Sequence, residues 1–158
     1  MTIYTIHKGR HYARPVGLKL YTPSTVLLTQ TVTFNSSCRY DLHFRYQLDI
    51  NKLFGVGYFP THHVNSVRFG WRYDLDKDMI EILAYCYINK ERFWESMGWV
   101  EIGQPYIYEI ERYADYHVLR LRDVRVQVPV PTQLLGYHLK PYFGGNCVAP
   151  HTMTIEMS

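Results

Sequence analysis

Residues 65–73 read NSVRFGWRY and residues 79–89 read MIEILAYCYIN, and the alternation in these two stretches decides the fold class. Successive side chains of an extended chain point to opposite faces, so a period of two marks a strand. In the first stretch Val67, Phe69, Trp71 and Tyr73 share one face, with Arg68, Gly70 and Arg72 opposite. In the second, Ile80, Ile82, Ala84, Cys86 and Ile88 lie together and Glu81, Leu83, Tyr85 and Tyr87 lie across from them. The segment from Asp74 to Asp78 is rich in turn formers and predicts a connection between the two strands.

The same rhythm runs outward along the chain. Residues 39–48, RYDLHFRYQL, place Leu42, Phe44, Tyr46 and Leu48 on one face and His43, Arg45 and Gln47 on the other, which predicts a further strand. Strands are also predicted over 2–7, 15–21, 26–34, 52–59, 92–102, 105–112, 115–122, 124–128, 136–143 and 151–157. Turn signals such as Asn35-Ser36-Ser37 and Gly144-Gly145-Asn146 separate them. Pro129 and Pro131 mark an edge or crossing loop, because proline cannot donate to a central ladder. No stretch of a dozen residues carries a helical stripe. This spacing predicts an all-β fold: one antiparallel β-sandwich domain of jelly-roll, concanavalin-like type over residues 1–158.

Composition narrows the class. At 47% hydrophobic and 20% charged, the chain reads neither as disordered nor as membrane-spanning, and 158 residues suffice for one core without metal or disulfide staples. The net charge of +3 is mild and the basic residues are scattered, so nucleic acid is not an expected partner. Cys38, Cys86 and Cys147 lie far apart with no CxxC, which predicts reduced, buried thiols. The opening MTIYTIHKGRHYARP is interrupted by His7, Lys8, Arg10 and His11 and lacks the apolar core of a secretory signal. A cytoplasmic setting is therefore expected, or the host cytoplasm or a virion if the protein is viral.

Two polar segments stand out. In THHVNSVRFGWR, residues 61–72, His62 and His63 point to opposite sides if extended, while Arg68 and Arg72 share a face separated only by Gly70. The missing side chain at Gly70 would let an anion or a planar ring approach two guanidinium groups. Two like charges on one face also call for something negative between them: Glu81, Asp49, or a ligand phosphate or carboxylate. In GYHLKPYFGGNCVAPH, residues 136–151, Tyr137, His138, Tyr142, Asn146 and His151 offer hydrogen bonds and ring faces. Gly144-Gly145 reads as a hairpin turn or as amides presented to an anion. Tyr85 and Tyr87, on the face opposite Cys86, can stack on nucleobases or on sugar rings.

Of the familiar catalytic signatures, GxSxG, the P-loop, GxGxxG and HExxH are all missing, and no cofactor or metal is expected. A histidine base with a tyrosine or second histidine as acid is the chemistry that remains. DINKLFG (49–55), HHVNSVRFGWR (62–72), AYCYIN (84–89) and PYFGGNCVAPH (141–151) together resemble a small uncharacterised β-sandwich family of bacteria and bacteriophages, over residues 39–157. The strand rhythm is similar to that of concanavalin-like jelly rolls, whose concave sheet carries the ligand. Polysaccharide lyases of that fold resemble the His and Tyr chemistry, although their signature segments are absent here.

Three functions follow as expectations. The first is capture of a small anionic ligand, a nucleotide-type signal, by Arg45, Asn65, Arg68, Arg72, Tyr85, Tyr87, Tyr142 and Asn146. The second is a hydrolase or lyase acting on a phosphodiester or acidic saccharide, with His62, His63, His138 and His151 exchanging protons. The third is a glycan-binding or structural virion module, which would form a homo-oligomer through its tyrosine-rich face.

Overall fold

A computed structural model describes residues 1–133 and 135–158, and in it the two deciding stretches form adjacent strands. In chain order the strands are β1 (Thr2–Ile6), β2 (Ala13–Arg14), β3 (Leu20–Tyr21), β4 (Leu27–Phe34), β5 (Asn51–Tyr58), β6 (Ser66–Asp74) and β7 (Met79–Ile88). Then follow β8 (Glu91–Glu101), β9 (Tyr106–Arg112), β10 (Tyr116–Leu121), β11 (Val124–Pro129), β12 (Gly136–Leu139) and β13 (Met153–Met157). One sheet runs β11-β10-β9-β4-β13-β1-β2 and the other β3-β12-β5-β6-β7-β8. The strand pairs are antiparallel, so the expected two-sheet sandwich is the fold. No helix among the described residues is long and apolar enough to cross a membrane.

The core lies between the sheets where the alternation puts it. Val67, Phe69, Trp71, Ile80, Ile82, Ala84 and Cys86 are completely buried, and Phe34, Tyr108, Ile110, Leu119 and Ile155 of the other sheet belong to the same core. Burying each large apolar side chain stabilises the fold by about 1.5–3 kcal/mol. Phe54, Phe69 and Tyr108 meet with ring centroids 5.1–6.4 Å apart, and Phe34 and Tyr40 flank Trp71 at 5.1 and 6.0 Å. All three cysteines are free, with Cys38 and Cys86 buried.

Residues 39–48 depart from expectation: Phe44–Leu48 is a 3-10 turn preceded by irregular chain. His43 and Phe44 have φ of 64° and 47°, outside the extended region, so the run cannot continue as a strand. Side chains take over the backbone partners instead. Gln47 accepts from the Leu42 amide at 2.8 Å and donates to the Tyr40 and Tyr73 carbonyls at 2.9 and 3.0 Å, and Asp41 accepts from the His43 amide. Phe44 and Leu48, on the apolar face of the strand expected there, are 96% and 65% exposed. The strand predicted over 15–21 shrinks to β3, behind the exposed Val16 and Leu18, and that over 136–143 stops at Leu139, just before Pro141.

One polar network is buried between the sheets. Arg112 donates from Nε to the Tyr58 hydroxyl at 3.0 Å, and from Nη1 to the carbonyls of Thr22 and Thr25 at 3.0 and 2.7 Å. Tyr58 lies 2.6 Å from His117 Nε2, while His117 Nδ1 lies 2.7 Å from the Tyr116 carbonyl. A carbonyl can only accept, so Nδ1 carries the hydrogen and Nε2 accepts from Tyr58. Burial pulls the His117 pKa down to about 4 and keeps the ring neutral.

Candidate functional site

β6 turns Ser66, Arg68 and Gly70 to the outer face of the six-stranded sheet, opposite the core residues Val67 and Phe69. On β5, Gly55 pairs with Arg68 and Gly57 with Ser66. A Cβ at Gly55 would stand 2.3 Å from Arg68 Cβ, and one at Gly57 would stand 2.9 Å from both His62 Cβ and the Tyr137 ring. These glycines give other residues room to pack down onto the sheet. Above them lies a groove of about 730 Å³, walled by the 59–65 loop on one side and by the Lys140–Gly145 segment.

Arg68 forms the floor of this groove and is only 6% exposed. One guanidinium nitrogen donates to the Lys140 carbonyl at 2.7 Å. Among the described residues its Nε has no partner, nor does the neighbouring buried Ser66 Oγ. Among the described residues the ion pairs are Arg39–Asp78, Arg72–Glu81 and Arg120–Glu111, so Arg68 has no carboxylate within 4.0 Å. Burial lowers its pKa to about 10, which leaves it a cation at neutral pH.

The rest of the lining adds to the positive field. Lys52, Arg92 and Lys140 border the groove, and none of the described residues lining it is Asp or Glu. Lys52 donates to the Gly144 carbonyl at 2.8 Å and lies 5.2 and 5.8 Å from the ring centres of Tyr85 and Tyr142. Burial, followed by repulsion from Arg68 and Arg92, pulls its pKa down to about 8. His62 Nδ1 lies 3.4 Å from the Tyr137 hydroxyl. Burial first, then the charges of His63, Arg68 and Lys52, lowers the His62 pKa to about 4, so this ring is a free base at neutral pH.

His62, His63, Arg68, Tyr85, Tyr87 and Tyr142, all singled out in the sequence, meet in this groove. The two histidines do not diverge: they sit in a turn, their rings 4.2 Å apart, with His63 edge-on to Tyr87 at 5.5 Å. His138 borders the groove, but its ring faces the interior, with Nδ1 2.7 Å from the Tyr21 hydroxyl and the ring stacked 6.5 Å from Phe54. His151 lies elsewhere and donates from Nε2 to the Ser37 carbonyl at 2.7 Å. Asn65 is buried and accepts from the Asn89 amide at 3.0 Å. Arg45 lies on the 3-10 turn with its guanidinium 4.9 Å above Tyr46.

Arg72 is separated from Arg68 because Gly70 does not make an open slot. Its missing side chain is replaced by Ile50, whose Cγ2 would be 2.5 Å from a Cβ there. Arg72 instead forms a two-pronged pair with Glu81 at 2.8 and 3.2 Å, the first of the negative partners anticipated for it. The Gly144-Gly145 segment does not offer spare amides at its ends: the Gly144 amide donates to Asn51 Oδ1 at 2.6 Å and the Asn146 amide to Asp49 Oδ2 at 3.1 Å. Gly144 itself has φ of 82°, and a Cβ there would meet the Cys147 carbonyl at 2.1 Å.

Sequence reasoning missed Lys52, Arg92 and Lys140 and gave Tyr137 no defined role. Arg92 had a signal, since ERFWES alternates and puts Arg92 and Trp94 on the face that pairs with Tyr87 and Tyr85. Lys52 had none, because the bulge between Lys52 and Gly55 shifts its register. Beyond Lys52, Tyr85, Arg92 and Gly145 the groove opens into a second compartment of about 480 Å³, which includes Asp49, Arg72, Trp94 and Asn146. Among the described residues lining a third hollow of about 570 Å³ beside Phe44, Leu48 and Leu75, no buried side-chain polar atom lacks a partner. No group of three or more His, Cys, Asp or Glu among the described residues gathers as a metal site.

No protein-family model and no curated protein matches this sequence, so the likeness to a bacterial and bacteriophage family rests on the quoted segments alone. The structure is similar to that of alginate lyase AlyC3, with a TM-score of 0.57 at 10% identity over 99% of this chain and 69% of that one. It is similar to an alginate lyase from Alteromonas sp.272, with a TM-score of 0.54 at 8% identity over 99% of this chain and 86% of that one. A polysaccharide lyase of family 18 gives a TM-score of 0.54 at 6% identity, again over 99% and 86%. At such identities the likeness establishes the fold, a jelly-roll β-sandwich.

Proposed function

We propose that this chain binds an acidic polysaccharide in the groove and cleaves it by β-elimination, with Arg68 anchoring a uronate carboxylate. The observation that carries this reading is Arg68 itself: a buried guanidinium with a free Nε, no carboxylate partner and an acid-free lining around it. A buried charge without a counter-charge is costly, and a ligand carboxylate lying over the guanidinium in the groove would supply one. Tyr85, Tyr87 and Tyr137 offer ring faces suited to the C–H faces of sugars. The structural likeness to two alginate lyases favours an acidic saccharide over a nucleotide-type anion.

The chemistry follows from these positions. Neutralising the carboxylate acidifies the adjacent C5–H bond of the sugar. His62, held neutral, takes that proton; when its Nδ1–H donates to Tyr137, Nε2 carries the lone pair. The C–H electron pair becomes the C4=C5 double bond, and the C4–O bond breaks with its pair on oxygen. The Tyr137 hydroxyl then gives its proton to the departing oxygen. Water is not consumed, and the new chain end is an unsaturated uronate.

The test is ultraviolet absorbance during incubation with alginate and with polygalacturonate, alongside thermal shifts. Absorbance should rise with the native chain and be lost in His62→Ala and Tyr137→Phe. Binding that persists without any rise in absorbance would reduce the activity to glycan recognition. A thermal shift with nucleotides and none with uronates would overturn the saccharide reading in favour of nucleotide capture.

A further inference from the structure

We infer that the groove continues past Arg68 to a further sugar position built on Trp94, about two residues along the same saccharide chain and so beyond the reach of a disaccharide held at Arg68; this rests on the saccharide reading above. Strand register makes the argument. Arg68 on β6 pairs with Tyr85 on β7, and Tyr85 pairs with Trp94 on β8, so the three form a row across the sheet. With neighbouring strands about 4.8 Å apart, Trp94 lies about 10 Å from Arg68, a span of roughly two sugar rings. The two compartments share Lys52, Tyr85, Arg92 and Gly145, which makes them one continuous groove.

The far compartment has what a further ring requires. Trp94 is 48% exposed, although a large indole on a strand is ordinarily covered, and the Arg92 guanidinium lies 4.8 Å from its centre. Arg72 is neutralised there by Glu81, so Arg92 and Lys52 at the junction are the cations left for a second carboxylate. The compartment's carboxylate, Asp49, is engaged by the backbone and side-chain nitrogens of Asn146 at 3.1 and 3.0 Å. An aromatic platform next to two cations that have no carboxylate partner among the described residues fits a linear polyuronate better than a single compact anion.

The experiment measures binding of an oligouronate disaccharide and hexasaccharide to the native chain, Trp94→Ala and Trp94→Leu. Stacking on an exposed ring sets the expectation that both variants weaken the hexasaccharide about tenfold and leave the disaccharide within about twofold. The native chain should bind the hexasaccharide more tightly than the disaccharide. Equal native affinities, or equal losses for both ligands in both variants, would overturn the Trp94 position while leaving the Arg68 reading intact. Failure of the native chain to bind either saccharide would overturn both.

Discussion

Arg112 and Arg68 are equally buried, at 7% and 6% exposure, yet one lies between the sheets and the other beneath a groove. Arg112 donates to a tyrosine hydroxyl and two carbonyls, all supplied by the fold. Arg68 donates to one carbonyl and keeps a free Nε. A charge whose donors are satisfied internally stabilises the structure that holds it, whereas a charge left partly unsatisfied is held in place by surrounding packing. The contrast sets Arg112, satisfied within the fold, apart from Arg68, the cation proposed to bind, without reference to any relative.

Substitutions can break or sharpen this contrast. The largest effect is expected for Arg112→Met, which takes one partner from Tyr58 and strands two carbonyls: a loss of about 3 kcal/mol, or about 10 °C in Tm, read by thermal melting. Arg68→Met should behave oppositely, melting at or slightly above the native temperature while uronate binding falls about 100-fold by calorimetry. If Arg68→Met melts as low as Arg112→Met, the two arginines are both structural and the distinction fails.

The interior also sets a pH dependence. His117 has a folded pKa of about 4 against an ordinary value near 6.5, so between these values the unfolded chain binds a proton that the folded chain refuses. His117's contribution is therefore complete above about pH 6.5 and declines as pH falls toward 4, with about 2 kcal/mol of it lost between pH 7 and 5, and His62 and His138, also pulled down to about 4 by burial, add to the decline. Melts at both pH values should show a shallower decline in His117→Gln. Arg72→Ala is expected to have the smallest effect, about 1 kcal/mol, because the arginine side of its pair with Glu81 is partly in solvent, at 23% exposure. Adding Glu81→Gln should recover part of that loss, and disaccharide binding should stay unchanged.

The parts of the molecule that could be read in advance are those where one periodicity governs. Val67, Phe69, Trp71 and Tyr73 are core and Arg68 faces out because strand alternation alone assigns them. The failure at 39–48 shows the limit: Leu42, Phe44, Tyr46 and Leu48 alternate, but Gln47 and Asp41 bind the local backbone and win over the ladder. The site was legible where its residues sit on strands, as with Arg68, Tyr85 and Tyr87. It was illegible where loops decide, since nothing in THHV says that two adjacent histidines turn into the same groove. Lys52 was hidden for another reason, because its meeting with Tyr142 joins segments 90 residues apart in sequence through an isolated bridge.

Gly55 and Gly57 carry a consequence for how such a protein could change. Because a methyl group at either position would collide with Arg68, His62 or Tyr137, these two positions of the strand under the groove have almost no permissible alphabet. Variation that retunes ligand preference must then come from Tyr85, Tyr87, Arg92 and Trp94 or from the flanking loops. A library randomised on β7, β8 and the 59–65 loop should yield altered specificities, while one built on β5 should yield mostly inactive chains.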